Sequence, residues 1–367
     1  MIMLAFPYLV LNVLRYGAVK LGLIYSVAAV ATAVLGLLFG FLADTWGRKR
    51  TLVVVGMLLP LSSALVYFSH HLAALFLAGI LGGYSATGSL MGGGVGGAAQ
   101  PIQSAIIADL STLENRTRYF SILTFLSGVF SAVGALLARY FTMNGIFLTA
   151  TLVALGGLIF LAPLQTSQVR GDFRRLESKR TIGKFTLTGM LNGFTQGLIV
   201  PFLIPFFVIV FHVPKSRMAV YAFWSGALAA VGILAAPWLE RRMGFLKSMV
   251  VTRGLGAILL PLLPFVHYLF LALAIYILTP ALRIMALPVQ QTALTEMVGQ
   301  EETGRALGIN QVARLAASAG AIALTGVLFG AAEIALPFLL YGGFMGANLA
   351  LYVRFFRNNP VDDRARA

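Results

Sequence analysis

The stretch GFLADTWGRKRT, residues 40–51, is a short charged run between two long apolar segments. It contains one acidic residue, three basic residues and two glycines, and the chain turns apolar again immediately after it. Charged side chains are costly inside a bilayer. This interruption therefore indicates a tight loop between two membrane-spanning helices.

The composition of the whole chain agrees with a membrane protein. It has 367 residues, of which 59% are hydrophobic and 11% are charged, and its mean hydropathy is +0.89. Soluble domains carry roughly 25% charged residues. No soluble core can absorb this much apolar surface, so the expected solvent is the lipid bilayer.

A membrane-spanning helix needs about 20 consecutive, mostly apolar residues. Charges and turn signals divide the chain into eleven candidate spans, preceded by a shorter apolar piece at 1–14. The spans are 20–43, 51–69, 72–109, 119–140, 145–164, 185–211, 217–238, 248–266, 268–297, 305–329 and 332–356. Lipid supplies no hydrogen-bonding partner for exposed backbone, and continuous apolar runs favour helices over barrel strands. The sequence predicts an all-α integral membrane fold.

The basic residues are distributed unevenly along the chain. If 44–50 is cytoplasmic, the loops on that side and the tail hold 19 of the 27 Lys and Arg residues, and the opposite loops hold five. This positive-inside bias predicts a multi-pass protein of the cell membrane, with both termini of the full-length form in the cytoplasm. The net charge of +15 then reflects topology and attraction to anionic lipid rather than binding of nucleic acid.

The two halves of the sequence resemble one another. PIQSAIIAD (101–109) and PVQQTALTE (288–296) share a proline, a glutamine and a terminal acid at an offset of 187 residues. Two repeated halves around a site near the bilayer midplane are typical of transporters. The repeat predicts an N-terminal helical bundle at 1–164, a central cytoplasmic loop at 165–184, a C-terminal bundle at 185–356 and a tail at 357–367.

The loop at 40–51 also resembles a family signature. GFLADTWGRK is similar to the G-x-L-A-D-x-x-G-R-K motif that the major facilitator superfamily (MFS) carries between helices 2 and 3, and the segment ADL…ENRTR (108–118) resembles its loop between helices 4 and 5. The resemblance covers essentially the whole chain. It implies two pseudo-symmetric six-helix bundles, which move against one another in alternating access.

The resemblance further implies a cytoplasmic gate. Its residues here are Gly40, Asp44, Gly47, Arg48, Lys49, Asp109, Arg116 and Arg118. The glycines permit close helix contact and a tight reversal. Asp44 would accept hydrogen bonds from the N-terminus of helix 11, where negative charge is favoured, and Arg48 would reach Asp109. Without the resemblance, a solvated turn that follows the positive-inside bias accounts for the same residues.

In this family helices 1, 4, 7 and 10 line the cavity, with helices 2, 5, 8 and 11 beside them. Polar residues deep in those spans are the candidates for substrate binding. They are Gln103, Asn192, Gln196, Trp224, Arg283, Gln290, Asn310 and Arg314. For each amide the alternative is a structural hydrogen bond between helices, worth about 0.6 kcal/mol on average.

Arg283 is the most specific of these candidates because it lies near the middle of helix 10. A charge at that depth costs about 2.5–3.5 kcal/mol on insertion scales, and no acid occurs at comparable depth in the candidate spans. The sequence therefore predicts that Arg283 faces a wet cavity and meets an anionic substrate. Pairing with backbone carbonyls in a kinked helix is the alternative, since TPALRIMALP (279–288) carries two prolines.

Two irregularities give further expectations. Only six residues precede Pro7, against about 20 before the equivalent Pro205, so helix 1 is expected to be a truncated fragment beside eleven full spans. The glycine-rich segment SATGSLMGGGVGGAAQ (85–100) is expected to break helix 4 or to form an outer loop.

The function predicted from the sequence is secondary active transport of a small organic solute by an expected monomer, with an organic anion favoured by Arg283 and H⁺ or Na⁺ as a coupling ion. Drug or hydrophobic-compound efflux by antiport is an alternative, although a helix-5 proline typical of such antiporters is lacking in SGVFSAVGALL (127–137). A channel or a multispan enzyme is a more distant alternative. No catalytic residue, metal site or cofactor is expected, because the sequence carries no zinc motif or nucleophile elbow.

Overall fold

The computed structural model of the chain describes residues 1–82, 98–99, 102–103, 106, 113–163, 178–298 and 303–357. Over these ranges the protein is helical and contains no β-strand. The helices are α1 (Ile2–Tyr8), α2 (Gly17–Trp46), α3 (Arg48–Phe68), α4 (Leu72–Ile80), α5 (Leu113–Leu137), α6 (Met143–Ile159), α7 (Lys179–Ile199), α8 (Leu203–Val210), α9 (Lys215–Leu262), α10 (Leu269–Met297), α11 (Thr303–Gly330) and α12 (Ala335–Phe356).

The predicted all-α membrane fold is confirmed. Eight helical segments of the described chain are long and apolar enough to cross a membrane, and shorter apolar helices cover Ile2–Val13, Ile122–Leu137 and Met143–Ile159. Predicted helix 7 corresponds to α7 and α8, which a 3-10 turn at Val200–Phe202 separates at Pro201. The question whether 85–100 is a broken helix or a loop concerns residues that, apart from 98–99, lie outside the described ranges.

Two glycines make the sharp reversals at one end of the bundle. Gly47 (φ 95°, ψ 140°) ends α2 and lets α3 begin at the next residue. Gly244 (φ 76°, ψ 171°) makes the same interruption inside α9 and divides it into two spans, the predicted helices 8 and 9. Residues with a Cβ rarely adopt these angles. The segment APWLERRMGFLK (236–247) is a degenerate second copy of the loop at 40–51, and its Gly244 makes a reversal like that at Gly47.

We call the end of the molecule that holds Gly47 and Gly244 the basic face, because Arg48, Lys49 and Lys247 closely follow these glycines in the sequence. The other end is called the opposite face. Within each half of the chain, the helices pack into a bundle, as α3 does with α6 and α9 with α10. Between the halves, α2 packs along α11 and α5 packs along α9. Exchanging the two sequence repeats turns the contact of α2 with α11 into the contact of α9 with α5, so the bundles are pseudo-symmetric.

The seam between α2 and α11 is closed by small residues. A Cβ built on Gly22 would lie 2.6 Å from Gly326 Cα, and one built on Gly326 would lie 2.8 Å from Gly22 Cα. The Ser26 hydroxyl donates a hydrogen bond of 2.9 Å to the Ala319 carbonyl across the same seam. The two backbones approach this closely because neither glycine has a side chain, as in other membrane helix pairs.

The buried apolar residues are arranged differently at the two faces. Toward the opposite face, one continuous cluster joins both bundles and includes Phe6, Tyr25, Phe206 and Ile322. Toward the basic face, the described apolar residues form two separate clusters. One, around Phe39 and Val55, belongs to the N-terminal bundle, and the other, around Phe185, Phe245 and Tyr352, belongs to the C-terminal bundle. Among the described residues, the apolar packing therefore joins the two bundles at the opposite face and stays within each bundle at the basic face.

Substitution of Gly326 by alanine should weaken the packing of α2 against α11. The new methyl group would collide with backbone atoms of α2, and overpacking of this kind costs about 1–3 kcal/mol. We expect a lower midpoint of thermal unfolding for purified Gly326→Ala. Gly320 lies on the same helix with no atom within 4 Å of a built Cβ, so Gly320→Ala is the matched control and should leave the midpoint unchanged or raise it. Equal midpoints for the two variants would contradict the close seam.

Candidate functional site

A cavity of about 190 Å³ lies between the two bundles, beside the cluster that seals the opposite face. Its described lining includes residues of α1, α2, α5, α7, α8, α9, α10 and α12. Most of that lining is apolar. The polar side chains that reach it include Tyr25, Gln196, Ser225, Tyr276, Thr279, Arg283 and Tyr341.

Arg283 brings a positive charge to the cavity wall. It lies halfway along α10, about 21 Å from Leu269 at 1.5 Å per residue. Its side chain is half-buried and lines the cavity. With the described residues it makes no hydrogen bond and no ion pair, backbone carbonyls included. The donors of the guanidinium are therefore not used by the described residues, and the binding of an anionic substrate by Arg283 stays a prediction.

Arg314 lies behind the cavity wall. Its Nη1 donates a hydrogen bond of 3.1 Å to Gln196 Oε1, and its Nε and Nη2 donate bonds of 3.2 and 2.9 Å to Gln311 Oε1. Arg314 is 8% exposed, whereas Gln196 lines the cavity. These bonds hold the guanidinium of Arg314 against Gln196, so Arg314 fixes the side chain of a residue that lines the cavity.

The other candidate residues lie elsewhere. Asn310 Nδ2 donates a bond of 2.6 Å to the Phe185 carbonyl, which links α11 to α7 in the structural role that was the alternative for each amide. Trp224 is 58% exposed on the outer surface of α9. Gln290 accepts a bond from Arg253, away from the described lining. Asn192 is buried and Gln103 is half-buried, and neither belongs to the described lining.

The sequence analysis did not identify several cavity residues. Tyr276, Thr279 and Arg283 are spaced three and four residues apart, so they lie on one face of α10. Extending the helical period from Arg283 toward the N-terminus would have identified the tyrosine. Tyr341 on α12 could not be found in this way, because in the family resemblance helix 12 does not line the cavity.

The gate residues are only partly described. Gly47 has the predicted reversal geometry, and Lys49 Nζ donates a hydrogen bond to the Ala162 carbonyl. No atom of the described residues lies within 4 Å of a Cβ built on Gly40, so α2 makes no close contact there with the described helices. Asp109 and the side chains of Asp44, Arg116 and Arg118 lie outside the described part of the structure. The network between Arg48 and Asp109 stays a prediction.

Comparison with known proteins identifies a family. The sequence profile of the Major Facilitator Superfamily matches residues 1–321. An uncharacterized membrane protein of Saccharomyces cerevisiae, YJR124C, is 28% identical over 133 residues. That match spans 36% of this chain and 29% of the yeast protein, so the chain matches less than a third of this relative's length.

Solved structures share the fold. The human organic anion transporter MFSD10 superimposes with a TM-score of 0.69 at 16% identity, over 90% of this chain and 83% of that one. A bacterial homologue of the lysosomal transporter Spinster gives 0.73 at 14% identity, over 97% and 92%. A D-xylose–proton symporter gives 0.72 at 16% identity, over 92% and 87%. At these identities the likeness establishes the fold alone.

The arrangement of the two faces predicts the direction from which the cavity is reached. The chain has no cysteine, so Thr279→Cys places a single thiol in the cavity. A charged, membrane-impermeant thiol reagent should label it from the basic face and not from the opposite face, which the continuous apolar cluster closes. Ser62 is 0% exposed inside the N-terminal bundle, and Ser62→Cys is the unlabelled control. Faster labelling of Thr279→Cys from the opposite face in oriented vesicles would contradict this assignment.

Proposed function

This chain belongs to the Major Facilitator Superfamily, and we propose that it carries a small organic anion across the membrane by alternating access. The observation on which the proposal rests is Arg283, a half-buried cation that lines the central cavity and makes no ion pair with the described residues. The family and the fold are those of transporters. Arg283 is the reason for proposing that the transported solute is an anion.

The energetic argument concerns the charge of Arg283. An arginine side chain stays protonated in proteins, and a charge at the centre of a membrane costs at least about 2.5–3.5 kcal/mol. An anionic substrate offsets part of this cost when it binds. The planar guanidinium fits a carboxylate or phosphate with two parallel hydrogen bonds. Arg283 would therefore bind the charged group of the solute.

The remaining lining supports an organic body for this solute. Leu203, Ile204 and Leu260 contribute apolar surface, and Tyr276 and Tyr341 contribute aromatic rings with hydroxyl groups. Such a mixture of apolar walls and a few polar groups is typical of small-molecule sites. Because most of the described lining is apolar, an uncharged hydrophobic compound is the second candidate, and the effect of removing Arg283 distinguishes the two.

Alternating access is supported by the two faces of the fold. In the part of the chain that the structure describes, the bundles share one apolar cluster at the opposite face and have separate clusters at the basic face. If the basic face is cytoplasmic, as the positive-inside bias predicts, this conformation faces inward. Rocking of the bundles would break the seam of Gly22 and Gly326 and bring the loop around Asp44 and Arg48 against the other bundle. In this proposal that loop holds the cytoplasmic gate closed.

The solved structures named above support transport in general more than any one substrate. MFSD10 is named as an organic anion transporter and another neighbour as a D-xylose–proton symporter, and both share this fold with the present chain. Since the same fold serves both, the cargo must be decided by the residues of the cavity. Coupling to H⁺ or Na⁺ and a monomeric state remain part of the proposal.

Removal of the charge of Arg283 should abolish anion binding without unfolding the protein. We expect members of a panel of organic carboxylates and phosphate esters to raise the unfolding midpoint of the purified wild-type chain, and Arg283→Gln to lose that response. Loss of a hydrogen bond to a charged group costs about 1.5–3 kcal/mol, or roughly a tenfold or greater loss of affinity. Arg217 is exposed at the start of α9, and Arg217→Gln is the matched control that should keep the response.

Uptake into proteoliposomes supplies the second measurement. Counterflow of a stabilising anion should be saturable in the wild-type protein and reduced in Arg283→Gln. Equal stabilisation and equal counterflow in both proteins would reject the anion proposal. Saturable counterflow of an uncharged compound, unaffected by the substitution, would instead establish the second candidate.

A further inference from the structure

A second arginine is buried inside the C-terminal bundle, away from the described cavity lining. Arg253 lies on α9 beyond Gly244 and is 5% exposed. Its Nη2 donates a hydrogen bond of 2.6 Å to Gln290 Oε1 on α10, and its guanidinium carbon lies 5.1 Å from the centre of the Tyr352 ring on α12. Arg253 is thus held between three helices by neutral partners. No described residue forms an ion pair with it.

The donors around this arginine are incompletely satisfied. Arg253 Nη1 and the Tyr352 hydroxyl are buried without a hydrogen-bond partner, as are both amide atoms of Asn348. Tyr352 and Asn348 are 0% exposed. They are four residues apart on α12, so they lie on the same buried face of that helix. Buried polar atoms without a partner are uncommon in native proteins, because each costs about 1–3 kcal/mol.

We propose that this cluster is a binding site for a small inorganic anion of halide size, held by Arg253 and Tyr352 with Asn348 beside them. The available donors are the guanidinium N–H, the tyrosine O–H and the amide N–H of asparagine. Together they carry one positive charge and present hydrogen atoms to a shared ligand. A cation would find no carboxylate among the described residues of this cluster.

The charge around the cluster also favours an anion. Arg253 makes no ion pair with the described residues, and Arg283 on the neighbouring α10 is a second cation of the C-terminal bundle. An anion bound at Arg253 would compensate its charge, because buried charges are normally paired.

The packing around the site limits the size of its ligand. A Cβ built on Gly254 would lie 3.8 Å from Leu349 Cδ1, and one built on Gly256 would lie 3.3 Å from the Tyr341 hydroxyl. The helices α9 and α12 are therefore in contact at the level of Arg253. A halide ion fits such a seam more readily than an organic solute, and the bond between Arg253 and Gln290 would couple its binding to α10, the helix that carries Arg283.

Thermal unfolding of the purified full-length chain in sodium chloride or sodium gluconate, at equal ionic strength, tests the site. We expect chloride to raise the midpoint in a saturable manner, whereas the larger gluconate has no such effect. Arg253→Gln keeps a donor for Gln290 and removes the charge, and Tyr352→Phe removes only the hydroxyl. Each should raise the half-saturating chloride concentration, Arg253→Gln by at least about tenfold, the factor for a lost bond to a charged group.

The matched control is Arg283→Gln, which should keep the full chloride response. A chloride response lost in Arg283→Gln and kept in Arg253→Gln would overturn the proposal, since chloride would then bind in the central cavity. Equal midpoints in both salts for the wild-type protein would also overturn it. The proposal fails as well if the variants shift the midpoint equally in both salts, because water molecules alone would then fill the cluster.

A direct readout is available if a variant folds poorly. Crystals of the wild-type protein grown with bromide should show an anomalous peak between α9, α10 and α12, within hydrogen-bond distance of Arg253. A peak at Arg283 alone would reject the site. Because this test concerns Arg253 and the transport test concerns Arg283, either proposal can fail while the other stands.

Discussion

A bilayer offers no water to a polar group, and this constraint governs the structure at every level. Backbone groups must bond within helices, so the sequence folds as a set of spans with tight reversals such as the one at Gly47. Polar side chains must turn inward to meet one another. The interior between the bundles is therefore where Arg283, Arg314 and Gln196 come together, although they are distant in the sequence.

The partners of the arginines decide what the interior can do. Arg253 contacts an amide and an aromatic ring, which position its side chain without neutralising its charge. Arg314 is bonded to Gln196, which lines the cavity, and so holds that amide in position. Arg283 keeps its charge beside the cavity, since it makes no ion pair with the described residues. That combination suits the binding of anions from solution.

Much of the fold could be predicted from the sequence because apolar runs and charged loops follow directly from the cost of charge in lipid. The loop at 40–51 indicated the reversal at Gly47. Arg283 was identified because a cation at mid-span is rare. By contrast, Asn310 and Trp224 were candidates by depth alone, and the helix face they occupy depends on tertiary packing. Tyr341 was missed for the same reason, since neither its depth nor its helix distinguishes it.

The position of Arg283 beside the cavity has a consequence for the energetics of a carrier of the proposed kind. With an anionic solute bound, the charge of Arg283 is balanced. Without solute, this positive charge remains, and any displacement of it through the membrane potential costs about 2.3 kcal/mol for each 100 mV. The membrane potential would then change the rate at which the unloaded carrier returns more than the rate at which the loaded carrier moves solute across.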